Sequence, residues 1–540
     1  MVRKSILPGA LALSLALPLA AAAQTTTWTV VAAEHASVPL PPLAGSTRSM
    51  SALRLGDVGQ NRWGFWNTAP ADDAGLWMQT ASGLQRYLQL GRTGAALGPG
   101  RTGAEQNHVF IERYDGYEDA GRDGGRVFLA RAGDPASTAS QSNGVWRRAA
   151  GGNVEVARSQ DSGVLGPGLP GWYFHGGSGF RSLLATIGGG VMINALLVDT
   201  STAEHDAILR HVPGQGNQPC AVSGVTDAAY APGFTAGDSF TRWYGSAPVS
   251  VDRQGRIFAR LGTSGSRAGL FELCAGAPRA LAADEVTGDL GPGLDDAAGT
   301  FVDFFNAPVF GAPGTFHFVA TARPTGGGMV NGVYRNDGAR NRPIALSAAT
   351  GALSPHWGDA TFSVFDEDTL DAAGEYVVFG ASVNASGNAV RGLWRAGTAA
   401  GPQPVAIAGT IGDYAPEQGL SWTSFYENTV FPNGDILVNA RTSDNAVALW
   451  LLPNGGRPRR VLRPGQTVPL QTAAGVVQAT IDGYALPGGG GSEAAQYLGG
   501  RDGWAAADGT VLAQVSLANY GKAWIVARPS DYILQDGFGG

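Results

Sequence analysis

The chain has 540 residues, 44% of them hydrophobic, with 81 glycines and 31 prolines spread along its length and a formal net charge of −7. Such a composition supplies large apolar cores cut by many turns, and it excludes one long disordered block. The acidic balance, about −9 once the early Arg3 and Lys4 are removed, excludes a nucleic-acid footprint.

The chain opens with the pattern of an export signal: Arg3 and Lys4, an apolar run over 6–19, and Ala21-Ala22-Ala23 as a cleavage site before Gln24. No cysteine follows that site to carry a lipid anchor. No later stretch holds the roughly 18 apolar residues of a membrane span. These features predict a soluble monomer that is secreted, periplasmic or cell-surface after cleavage near Ala23.

The mature chain is a set of repeats. One marker, a small residue followed by an apolar and an aromatic or large one, recurs at Gly75-Leu-Trp77, Gly144-Val-Trp146, Ala207-Ile-Leu209, Gly269-Leu-Phe271, Gly332-Val-Tyr334, Gly392-Leu-Trp394, Ala448-Leu-Trp450 and Lys522-Ala-Trp524. The even spacing is a period with loop-length scatter. A turn glycine and a strand precede each site, as in Gly125-Arg-Val-Phe128, Gly255-Arg-Ile-Phe258 and Gly374-Glu-Tyr-Val-Val-Phe379. A short apolar strand and a Gly/Pro corner follow, as in Leu97-Gly-Pro-Gly100, Leu165-Gly-Pro-Gly168 and Leu290-Gly-Pro-Gly293. An aromatic run such as 301–305, 362–365 or 422–426 supplies a fourth strand.

Four strands per period predict an all-β fold, a single β-propeller of eight four-stranded blades over residues 24–530. Residues 28–31 (Trp-Thr-Val-Val) match the strand that the last repeat lacks, so this N-terminal strand is expected to join the last blade and close the ring. The repeats run over about 28–83, 84–152, 153–218, 219–277, 278–340, 341–401, 402–457 and 458–530, after a signal peptide at 1–23 and before a tail at 531–540. The alternative is seven full blades and one irregular repeat, the third, where Leu209 replaces the aromatic residue.

Turns such as Asp252-Arg-Gln-Gly255-Arg-Ile-Phe258-Ala, Pro432-Asn-Gly434-Asp-Ile-Leu-Val-Asn and Asp371-Ala-Ala-Gly374-Glu-Tyr-Val-Val-Phe379 resemble the Asn-x-x-Gly-x-x-Ala-Phe repeat of exported bacterial tandem-repeat proteins. Asp252 and Asp371 stand where that pattern has Asn. The resemblance implies an exported propeller of uncharacterised role and brings no catalytic residue with it.

No side chain declares a reaction, and the catalytic residues stay unassigned. The Gly-x-Ser-x-Gly elbow of serine hydrolases is missing around Ser178 and Ser264. The histidines lack metal spacing apart from His205 and His211, which flank a predicted strand. Asp366, Asp368 and Asp371 could hold Ca²⁺, or form a solvated acidic loop; no other cofactor is expected. Cys220 and Cys274 can bridge or remain buried thiols, and both readings stay open. The periodic tryptophans read as packing between blades more readily than as sugar platforms. The expected role is a binding or surface-interaction module for an extracellular glycan or protein, without catalysis; the alternative is a propeller hydrolase or lyase acting on extracellular polysaccharide. A polar centre where carboxylates of different blades meet an arginine or histidine would favour the enzyme.

Overall fold

A computed structural model of the chain describes residues 27–33, 50–52, 64–67, 74–80, 83–120, 126–177, 179–234, 237–243, 249–252, 254–294, 298–397, 400–472, 474–486, 504–505 and 510–527. The predicted signal segment, 1–23, and the predicted tail, 531–540, lie outside the described residues. Among the described residues the regular structure is antiparallel strand with short 3-10 turns, and no helix is long and apolar enough to cross a membrane.

Among the described residues, seven blades each draw their strands from one stretch of chain: the first from 50–89, then 109–158, 173–222, 249–283, 300–346, 361–407 and 422–462. A further, closing sheet is composite. Its strands Thr467–Thr472, Gly475–Ala485, Val511–Leu517 and Gly521–Ala527 are joined by Thr29–Ala33 from the other end of the chain, which pairs antiparallel with Gly521–Ala527.

The expectation of eight four-stranded blades is therefore corrected. The seven blades are uneven, five with four strands and two with five, and the closing sheet has five. The cause lies in broken first strands. In the third blade Tyr173–Phe174 and Phe180–Ala185 both pair with Val191–Val198, and the glycine-rich stretch 175–179 between them interrupts what would be one strand. In the fifth blade Thr300–Phe304 and Val309–Phe310 both pair with Phe316–Arg323. Pro308 lies between them and has no N–H for the ladder. Leu209, by contrast, keeps its place opposite Ile193, wholly buried.

The repeat markers build the core. Trp77, Trp146, Trp394 and Trp450 are at most 1% exposed. Within a blade the aromatic residue of the third strand meets that of the first edge-on: Trp146 with Phe110, Trp394 with Phe362 and Trp450 with Trp422, centroids 5.0–5.2 Å apart. The indole nitrogen of Trp146 donates to the carbonyl of Pro99 at 3.1 Å, and that of Trp394 to Pro355 at 3.0 Å, so the corner before a blade caps the polar edge of its tryptophan. The tryptophan stripe is thus packing. Cys220, in the third blade, is bonded to Cys274, in the fourth, with Cα atoms 4.8 Å apart.

Candidate functional site

First strands of neighbouring blades touch one another, Val109–Ala120 against Phe180–Ala185 and Thr361–Ala373 against Trp422–Val430, which puts them innermost, around the propeller axis. In the sixth blade this inner strand bulges. Asp366 lies opposite Gly380 and Asp371 opposite Val378, so residues 367–370 face one residue of the partner strand. Thr369 holds the bulge: its hydroxyl donates to the carbonyl of Asp366 at 2.8 Å and accepts from the N–H of Gly380 at 2.6 Å. A Cβ at position 380 would sit 2.6 Å from that hydroxyl, so glycine is what lets the strands come so close.

The bulge turns Glu367 and Asp368 outward, where both are exposed to solvent. Both carboxyls are nevertheless raised from their ordinary values. For Glu367 the cause is partial burial first, then the negative charges of Asp368 and Asp366, with Arg260 pulling the other way and Asp303 adding to the rise. For Asp368 it is partial burial, then Asp366. Arg260, on the second strand of the fourth blade, pairs with Asp303, on the first strand of the fifth, at 3.2 Å. Arg391 pairs with Asp366 at 2.7 Å. Three consecutive blades thus bring carboxylates and an arginine together.

The predicted calcium trio is not brought together. Asp366 and Asp368 stay on the bulge, whereas Asp371 is buried and accepts hydrogen bonds from the Thr429 hydroxyl (2.8 Å) and the Val430 N–H (2.9 Å) of the seventh blade. Among the described residues, no group of three or more His, Cys, Asp or Glu side chains could hold a metal ion. His205 bonds Ser223 and Asp199, and His211 bonds Asn217, so neither faces the other across a metal site.

Arg260 and Asp303 have no motif in the sequence, and Glu367 is legible only as the middle of the acidic run 366–368. A signal was present: Asp303 comes two residues after the buried Phe301 and Glu367 five after the buried Phe362, and in both blades that aromatic residue marks the inner strand. What the sequence did not show is which residues the bulge expels.

The model of a family described as "Family of unknown function (DUF7453)" matches residues 63–500. No curated protein matches the chain. Among solved structures, the chain is similar to an acylaminoacyl peptidase of Pyrococcus horikoshii (8% identity, TM-score 0.32, 82% of this chain and 58% of that one). It is similar to the lectin BP39L of Burkholderia pseudomallei (12%, 0.30, 77% and 99%) and to a levansucrase of Bacillus subtilis (13%, 0.22, 57% and 88%). The chain spans 58% of the peptidase's length. The expectation of a module without catalysis gives way to the arrangement that was to favour an enzyme: carboxylates of two blades stand beside an arginine of a third.

Proposed function

The chain belongs to the family of unknown function DUF7453, and we propose that it is an exported propeller enzyme that hydrolyses glycosidic bonds of an extracellular polysaccharide. The observation that carries this reading is the convergence of Glu367, Asp303 and Arg260 from three blades at the bulge of an inner strand. Glycoside hydrolysis needs two carboxyl groups in different states, one that gives a proton and one that does not. Glu367, whose carboxyl is raised from its ordinary value first by partial burial and then by the charges of Asp368 and Asp366, is the candidate general acid for the leaving oxygen. Asp303, ion-paired with Arg260, is the second carboxylate, acting at the anomeric carbon or on the attacking water.

The test is reducing-sugar release from a panel of neutral polysaccharides, run beside a glycan array. The expected result is release by the wild type, a fall of about 10²–10⁴-fold in Glu367→Gln, a comparable fall in Asp303→Asn, and unchanged array binding by both variants. Array binding with no release from any substrate would leave a lectin. Release unaffected by either substitution would move the chemistry elsewhere.

A further inference from the structure

The inner strand of the seventh blade bulges at the matching place. Phe425 lies opposite Ala440 and Asn428 opposite Val438, which expels Tyr426 and Glu427 against Asn439. The two bulges are tied together, because the side-chain amide of Asn428 donates to the carbonyl of Thr369 at 3.0 Å. Beside Glu427 a short relay reaches the closing sheet. The Tyr484 hydroxyl donates to Asn439 Oδ1 at 2.7 Å, and Asn439 Nδ2 donates to Glu427 Oε2 at 2.8 Å.

We propose that Tyr426, Glu427, Asn439 and Tyr484 form a binding subsite for a neutral pyranose next to the Glu367 bulge. This rests on the glycan-cleaving reading of that bulge. Tyr426 is 36% exposed, although the inner-strand aromatic residues Trp422, Phe362 and Phe301 are at most 1% exposed. An exposed ring beside fixed polar groups suits a sugar, which offers a face of C–H bonds to the ring and hydroxyls to the acceptors. Asn439 occupies one oxygen of Glu427 and fixes the carboxylate, which has further lone pairs for sugar hydroxyls. Burial, then the neighbouring Glu427 and Tyr426, hold the Tyr484 hydroxyl protonated, so it stays a donor. The Glu427 carboxylate inside the subsite disfavours a uronate in the same position.

Calorimetry on the Glu367→Gln variant tests the subsite without turnover, with cellohexaose, maltohexaose, xylohexaose and hexagalacturonate as the probes. The expected result is that at least one neutral hexasaccharide binds, that adding Tyr426→Ala weakens it about tenfold, that Tyr426→Phe restores it, and that hexagalacturonate does not compete. Equal affinity with and without the Tyr426 ring, no binding of any neutral probe, or preference for hexagalacturonate would each overturn the subsite. A wild type that binds through Tyr426 yet releases no reducing sugar would instead overturn the catalytic reading and leave the subsite standing. Thermal melts of the Tyr426→Ala protein check that the exposed position leaves the fold intact.

Discussion

Asn341 is wholly buried, and its amide nitrogen approaches the carbonyls of Leu281 (3.1 Å), Asp289 (3.3 Å) and Gly291 (3.1 Å), stapling the fifth blade to the fourth and to the corner between them. Asn153 and Asn217 do the same one blade at a time, reaching Tyr87 with Gly98 and Val156 with Gly166. Asn341→Ala removes the Asn341 donor from the Asp289 and Gly291 carbonyls, and the expected cost is about 1–3 kcal/mol, read as a lower urea midpoint at unchanged slope. A second residue bears on stability in acid. His317 is buried and its pKa is lowered to about 3, first by burial and then by the Arg335 charge across the strand pair. Its unfolded value is near 6.5, so between these limits the unfolded state takes a proton that the folded state refuses. Stability from this group is present above about pH 6.5 and is lost as pH falls, at about 1.4 kcal/mol per unit. His317→Leu also removes a buried Nδ1 that has no hydrogen-bond partner; the expected outcome is a flatter acid limb between pH 6 and pH 4 in urea titrations, and an unchanged limb would assign the acid sensitivity to other groups.

At the scale of the element, the inner-strand bulge and its clasp decide whether the site exists. Thr369→Val keeps the size of the side chain but loses both hydrogen bonds to Asp366 and Gly380, and if the bulge is the proposed hydrolytic site the expected outcome is a fall in kcat that outweighs the loss of stability, because Glu367 is released from its position. Gly380→Ala places a Cβ 2.6 Å from the Thr369 hydroxyl and should be destabilising alone, with part of that loss recovered when Thr369→Ala is added; additive effects in that cycle would refute the clasp. This is also where legibility in the sequence ends. The strands, turn glycines and core tryptophans were readable because each is dictated by its own neighbours and recurs with a period. The bulges were not, because whether Glu367 is paired or expelled depends on the register against residues 378–380, which composition does not encode. The uneven blades had local signals, the glycines around His175 and Pro308, that the repeat average conceals. The asparagine staples had one too, since Gly152-Asn153 and Gly216-Asn217 share a place in their repeats.

At the scale of the whole molecule, two devices act against opening, and their magnitudes can be compared. The Cys220–Cys274 bond spans 54 residues of chain between the third and fourth blades, for which loop entropy suggests about 4 kcal/mol. The N-terminal strand acts across nearly the full length of the chain. Trp28 is 2% exposed and its indole nitrogen donates to the Val461 carbonyl at 3.0 Å, while Thr29, Val30, Ala32 and Ala33 find register partners from Ala523 to Val526. Burying a tryptophan is worth about 3–5 kcal/mol against alanine, and each strand hydrogen bond adds roughly 0.5–1.5 kcal/mol, so losing the strand should cost more than losing the bond. Deleting it also bares the edge of Gly521–Ala527, a template for association between chains. The expected order of urea midpoints is therefore wild type, then the Cys220→Ala/Cys274→Ala variant, then the variant lacking residues 27–33, with Trp28→Ala near the last and Val164→Ala, at a position 90% exposed, equal to wild type. Sedimentation should show oligomers for the strand deletion alone. If the cysteine variant proves the weaker of the two, the joint between the chain ends is a minor contact, and the third and fourth blades are where the molecule comes apart.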